Sequence, residues 1–282
     1  MKKLVAGLSL ALLCLCATNA MAVLVDFYDN ALAPDGVYGL FYGNYYHADE
    51  FTDSDGDKAV SADLTATIAI ARIVGYKTLG GYHFAYQAIL PFGEVKESKL
   101  FDESSSGIGD LTFGPALFLY ADDHSGTYLS YWFYITAPTG DWDDDRAINL
   151  GGHHWYFQHQ LALTTVLGDF VYDMNFNYYQ HTEEDDTKTE APDRFELEAS
   201  LGYPLTDKLM IGVNGGFYQD LGKVEVAGVK QADSAAERCQ FGPSVSYAVT
   251  ERLGVNLRWT HDVYAENDSK GDDVWLRLSY AF

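Results

Sequence analysis

The run Val274-Trp275-Leu276-Arg277-Leu278-Ser279-Tyr280-Ala281-Phe282 constrains the fold more than any other part of the chain. Val274, Leu276, Leu278, Tyr280 and Phe282 alternate with Trp275, Arg277, Ser279 and Ala281, and strand side chains alternate between faces. The run sets an apolar, aromatic-ended face against a more polar one, as a β-strand crossing a membrane requires. The same dyad recurs upstream. Phe170, Tyr172, Met174, Phe176 and Tyr178 oppose Val171, Asp173, Asn175 and Asn177. Phe195, Leu197, Ala199, Leu201 and Tyr203 likewise oppose Glu196, Glu198, Ser200 and Gly202.

Period-2 alternation and turn residues predict twelve strands, over 36–47, 60–73, 80–91, 108–120, 126–137, 150–166, 169–181, 193–204, 208–220, 238–248, 253–264 and 273–282. Their connections sort by parity. Segments 48–58, 92–106, 138–149, 182–192, 221–235 and 265–271 are long and hold 22 of the 41 Asp+Glu, whereas 74–79, 121–125, 167–168, 205–207 and 249–252 are short. Outer-membrane barrels have short periplasmic turns and longer outer loops. A secreted or periplasmic sandwich gives no reason for such sorting and is the weaker alternative. The fold class expected is all-β: a transmembrane antiparallel up-and-down β-barrel of about twelve strands, in the outer membrane of a Gram-negative bacterium. Closure removes the free edges that lipid would leave unpaired. The 21 tyrosines within a 15% aromatic content suit the girdles at the two membrane interfaces. Beyond the N-terminus no stretch reaches 18 consecutive apolar residues, which excludes helical spans.

Lys2 and Lys3, the apolar stretch 4–17 and Ala20-Met21-Ala22 compose a secretory signal over 1–22. The barrel is then 23–282, with 23–35 an N-terminal segment in the periplasm or the lumen. Cys14 and Cys16 follow Leu, which disfavours lipoprotein cleavage, and Cys239 alone makes neither an intrachain disulfide nor a metal cage. The formal net charge of −23 argues against nucleic acid as a partner. The acidic loops read first as solvated surface and second as a rim that binds cations or steers solutes.

Twelve strands spaced about 4.8 Å apart and tilted near 40° give a backbone diameter of roughly 24 Å and, unplugged, a lumen on the order of 10 Å. That width suits single small molecules.

Four patches carry a family resemblance: Pro34-Asp35-Gly36-Val37-Tyr38 with Tyr42 and Tyr45-Tyr46; Gly107-Ile108-Gly109-Asp110-Leu111 with Gly114-Pro115; Pro138-Thr139-Gly140; and Asp144-Asp145-Arg146-Ala147-Ile148-Asn149-Leu150-Gly151 with Trp155. Together they resemble the outer-membrane "meta-pathway of phenol degradation" transporter-like family over nearly the whole chain. The resemblance implies a barrel that takes up aromatic or other hydrophobic compounds. Trp142-Asp143-Asp144-Asp145 departs from it in acidity. Read locally, the glycines permit bulges and tight curvature, and Pro138-Thr139-Gly140 is turn chemistry.

Charges at membrane depth must face the lumen or be paired. Asp63, Asp110, Asp173, Glu196, Glu198, Arg258, Asp262 and Arg277 fall opposite apolar neighbours and are the lumen or constriction candidates. A carboxylate–guanidinium network there either fills the interior or selects solutes. His153, His154, His159 and His181 invite a metal reading, but adjacent strand residues point to opposite faces. A polar wall outweighs a metal site, and neither metal ligands nor a cofactor are assigned. Asp53-Ser54-Asp55-Gly56-Asp57 has the acids of a calcium loop without the distal Glu of an EF-hand. Enzymatic signatures such as Gly-x-Ser-x-Gly and His-Glu-x-x-His do not occur.

The function expected is an outer-membrane channel or facilitator for small hydrophobic or aromatic solutes. The alternatives are a non-transporting structural or adhesive barrel with acidic loops and, more remotely, a lipid-modifying enzyme. Partners expected are outer-membrane lipids and lipopolysaccharide, the barrel-assembly machinery through Tyr280 and Phe282, and the small-molecule solutes.

Overall fold

The computed structural model describes residues 25–282, and the expected signal over 1–22 lies outside the described residues. The wall is built from β1 (Gly36–Thr52), β2 (Lys58–Leu79), β3 (Tyr82–Glu97), β4 (Leu111–Asp122), β5 (Thr127–Ala137), β6 (Tyr156–Leu167), β7 (Phe170–His181), β8 (Arg194–Pro204), β9 (Leu209–Asp220), β10 (Glu237–Ala248), β11 (Leu253–Glu266) and β12 (Ser269–Ala281). Consecutive strands pair antiparallel, and β12 pairs with β1 from Tyr38↔Ala281 to Phe51↔Ser269, so the sheet closes. A short strand, Glu103–Ile108, extends the wall beside β3, and Thr189–Glu190, Glu225–Val226 and Val229–Lys230 form a small sheet across two loops. No helix occurs among the described residues.

Twelve strands were expected and twelve form the wall, with several boundaries corrected: β1 runs on to Thr52 and β3 to Glu97, into expected loops, and three further changes bear on the turns. Val74–Leu79 continues β2, and the reversal falls on Gly80-Gly81, whose φ values of 61° and 84° suit a two-residue hairpin of the primed type. The segment 265–271 is not a loop: β11 runs to Glu266, β12 starts at Ser269, and Asn267 turns the chain at φ 48°. Segment 150–155 is not strand. Gly151 and Gly152 belong to the β5–β6 connection, and β6 begins only at Tyr156. β1 and β2, at 17 and 22 residues, far exceed the roughly 9–11 that cross a bilayer, so the wall continues beyond it at the long-loop end.

The outer face is apolar through Phe41, Tyr45, Phe84, Tyr86, Phe113, Leu161, Phe176, Val213, Phe241, Leu257 and Leu276. Most of the inner face is amide, hydroxyl and charge, but one sector is not. Ala62, Leu64, Ile68 and Ile70 of β2 point inward and pack with Tyr42, Tyr46, Phe51, Val95 and Trp275. Ile148 and Leu150 of the β5–β6 connection complete that cluster, so this loop folds into the barrel rather than standing in solvent.

The long-loop end should face outside the cell. Single cysteines at Ser54 and Asp185, both exposed, in a Cys239→Ser background are expected to react with an impermeant maleimide on intact cells. A cysteine at Asp207, in the β8–β9 turn, should react only after the outer membrane is disrupted. The reverse pattern would invert the topology.

Candidate functional site

The chain itself enters the lumen at two levels. Near the short-turn end, residues 25–31 run inside the wall. Asp173 of β7 accepts hydrogen bonds from the Tyr28 amide (2.9 Å), the Asn30 amide (3.4 Å) and the Thr164 hydroxyl. The Asn30 side-chain amide donates to Asn175 Oδ1 (2.9 Å) and to the Leu163 and Met174 carbonyls (3.3 Å each). Asn214 donates to the Val25 carbonyl (2.5 Å), Ser244 to Asp26 (3.3 Å), and Arg277 forms an ion pair with Asp29. Phe27 lies against Gly202 and Gly212, where a Cβ would come within 2.7–2.8 Å of its ring. Glycine is therefore required on the wall opposite Phe27.

At the long-loop end the β5–β6 connection is tied to the wall by Asp110. Its Oδ1 accepts from the Thr139 and Gly140 amides (2.9 and 2.7 Å), and its Oδ2 from the Gly152 amide (2.7 Å). Three backbones meet here. A Cβ on Gly140 would lie 2.7 Å from the Gly109 carbonyl carbon, 2.8 Å from Gly151 Cα and 2.9 Å from the Asp110 amide. Asp141 closes the same knot, its Oδ2 accepting from the Ile108 amide (2.6 Å) and its carbonyl from the Gly151 amide (2.9 Å). The sequence patches around 107–111, 138–140 and 148–151 thus come together as one structural unit.

A chamber of about 80 Å³ lies inside the wall, bounded on one side by Val25, Asp29 and Asn30. Its wall presents Tyr42, Tyr134, Tyr179, Ile70 and Ile89 beside Gln87, Gln158, Gln160, Asn175 and Asn177. A second cavity, of about 270 Å³, opens at the short-turn mouth between Tyr28, Leu32, Tyr38, Tyr76 and Arg277. Asp29 and Arg72 line both cavities, so the N-terminal segment and the Arg72 side chain of β2 stand between them.

The eight charged candidates separate in the structure. Asp63 is a correction: it points outward, half exposed, 3.8 Å from His47, because the inward positions of β2 are the apolar Ala62 and Leu64. Six of the others are buried on the inner side, and Arg277 is partly buried there. Their direct partners differ from one to the next. Glu196 accepts from the Tyr179 hydroxyl (2.6 Å) and Glu198 from the Asn175 amide (2.6 Å). Arg258 stands 5.2 Å over the Trp275 ring, and Asp262 pairs with Arg238 (2.7 Å). Arg277 is committed to Asp29, while Asp110 and Asp173 hold the loop and the N-terminal segment.

Sequence reasoning missed Arg72, whose guanidinium donates to Gln87 Oε1 and to the Tyr42 hydroxyl (3.2 Å). It sits in the run Ile68–Val74, where apolar residues occupy both faces and conceal the parity. Asp26, Asp29 and Asn30 were missed because they precede the first strand, although three polar residues within five positions of a possible plug were a usable signal.

Histidines divide likewise. His154 Nε2 meets His181 Nδ1 (3.0 Å) inside the wall. His159 faces outward and pairs with the Tyr131 hydroxyl (2.7 Å). His153, in the β5–β6 connection, reaches Glu184 of the β7–β8 connection (2.9 Å). Burial favours protonation of Glu184, but donors from the Thr187 hydroxyl, the Asp186 and Thr187 amides and His153 hold its carboxyl down at about 2.

The sequence model of the family described as "Putative MetA-pathway of phenol degradation" matches residues 48–278. Among solved structures, the COG4313 outer membrane channel from Pseudomonas putida F1 is similar at 25% identity and a TM-score of 0.86, covering 92% of this chain and 100% of that one. The β-domain of the Bordetella autotransporter BrkA shares the barrel at 12% identity and a TM-score of 0.51, over 89% of this chain and all of its own. No curated protein matches the sequence. The chain is an outer-membrane β-barrel.

Proposed function

Because the chain belongs to the putative MetA-pathway of phenol degradation family, we propose that it is an outer-membrane channel for small aromatic solutes bearing a hydroxyl or similar polar group, gated by its own N-terminal segment. One observation carries the reading: two neighbouring cavities share Asp29, which lies in a segment that hydrogen bonds and one ion pair hold in place. Tyr42, Tyr134, Tyr179, Ile70 and Ile89 offer flat or apolar surface to a ring, and the five Gln and Asn side chains offer donors and acceptors to its polar group. Neutral amides hold a solute loosely enough to release it, which conduction needs.

Gln160 is the residue to change. Purified protein with Gln160→Leu should bind phenol and benzyl alcohol about two- to tenfold more weakly by calorimetry, as expected for a lost hydrogen bond of about 0.5–1.5 kcal/mol. Cyclohexane-like solutes should bind both proteins alike. Equal phenol affinity in the two proteins would remove the chamber from the recognition step. A barrel that conducts nothing is the competing account, favoured by the two segments packed inside the lumen.

Tyr280 and Phe282 sit outside this path. Their rings meet edge to face at 5.1 Å on the outer rim, and Phe282 is 77% exposed. We assign them to recognition by the barrel-assembly machinery, with the apolar belt meeting lipid and lipopolysaccharide. Deleting Phe282 should lower the yield of heat-modifiable, folded protein several-fold while leaving flux per folded molecule intact. Unchanged assembly would count against the assignment.

A further inference from the structure

We propose that His153, Glu184 and Asp186 form a divalent-cation site of the zinc class that staples the inward-folded β5–β6 connection to the β7–β8 connection. The inference does not depend on transport. Their ligand atoms all lie within 4.8 Å of one another, although His153 is about thirty residues from both carboxylates. His153 Nδ1 stands 2.9 Å from Glu184 Oε1 and 3.3 Å from Asp186 Oδ2. Donors bound tetrahedrally at about 2.0–2.2 Å from zinc are separated by roughly 3.4 Å, so both measured edges need only small adjustments to admit the ion.

The charge balance points the same way. One imidazole carries at most one positive charge and faces two carboxylates, while Lys188 is already engaged with Glu183 and Asp185 at 3.6 Å each. A dication would take the place of the proton on Nδ1 and by itself neutralise both carboxylates. One nitrogen and two oxygens suit zinc better than calcium or magnesium, which prefer all-oxygen shells. Glu184 is held by the Thr187 hydroxyl (2.6 Å) and the Asp186 amide (2.8 Å), and Trp142 stacks on the His153 ring at 5.6 Å and 14°. Such outer partners fix ligand orientation. Asp186 and His153 are partly exposed, which leaves the ion an entry path and room for a water as fourth ligand.

The consequence is mechanical. Gly151 and Gly152, next to His153, belong to the knot around Asp110. An ion at His153 would therefore fasten the inward loop from outside the barrel as Asp110 does from within.

The test uses the untagged full-length protein, stripped with a chelator and titrated with zinc chloride in detergent. One ion per chain should bind, and binding should slow protease cleavage within 138–155. His153→Ala and Asp186→Asn should each weaken binding about tenfold or more and abolish the protection. Asp144→Asn, in the neighbouring acidic run, should change neither. Asp186 is exposed, so that variant keeps its fold even if His153→Ala does not. Absence of saturable binding by wild type, or undiminished binding by Asp186→Asn together with His153→Ala, would overturn the site. The three residues would then be a hydrogen-bonded ion cluster only.

Discussion

Deleting residues 25–33, with the first 24 residues retained, is expected to turn a protein with rare openings into a steadily conducting one. The segment is held by about half a dozen hydrogen bonds and the Asp29–Arg277 pair. At a net of about 1 kcal/mol for each of the better bonds, the closed position is favoured by roughly 4 kcal/mol, or about a thousandfold. Mean current in planar bilayers should therefore rise at least about a hundredfold, with the amount of folded barrel little changed because the wall's ladder is intact. Asp173→Ala removes the anchor of Tyr28 and Asn30 alone and should produce an intermediate rise. If both proteins conduct like wild type, the segment is not the gate.

Asp110→Ala should have the second largest effect, on the opposite end. Three backbone donors lose their acceptor at once, and each buried unmet donor costs about 1–3 kcal/mol. The loop is expected to leave the lumen, drawing Ile148 and Leu150 out of the apolar cluster. Limited proteolysis should then cut within 138–155 at rates several-fold above wild type, with the barrel remaining heat-modifiable. Gly140→Val should reproduce this by a different route, since its Cβ has no space among Gly109, Asp110 and Gly151. A loop as resistant as wild type in both variants would refute the knot.

Strand number and closure were legible because period 2 and loop parity both report on a wall with one lipid face. The terminal run 274–282 shows this best, its apolar set facing out and Trp275 and Arg277 facing in. The same rule misled at Asp63. It equates apolar with lipid, and β2 instead buries Ala62, Leu64, Ile68 and Ile70 against a loop that enters the lumen. Nothing local in a strand records what a distant loop will place beside it. The glycines were read as architecture and Asp110 as a lumen candidate, but their convergence required the backbone path of 138–152. Partner choice was the least legible level. Arg277 was expected across from carboxylates of the wall and is met instead by Asp29, because a segment outside every strand enters the barrel. His153 shows the complementary case: strand parity argued against ligation, and that constraint lapses where the chain is loop, at φ 54°.

Swelling of proteoliposomes in isosmotic solute tests the central claim most directly. With wild-type protein, phenol-sized hydroxylated aromatics should enter faster than protein-free leakage allows, and a disaccharide should not enter. With residues 25–33 deleted, aromatic entry should accelerate and the disaccharide should begin to pass. Solute entry at the protein-free rate for both proteins would contradict the channel and leave a structural barrel as the account.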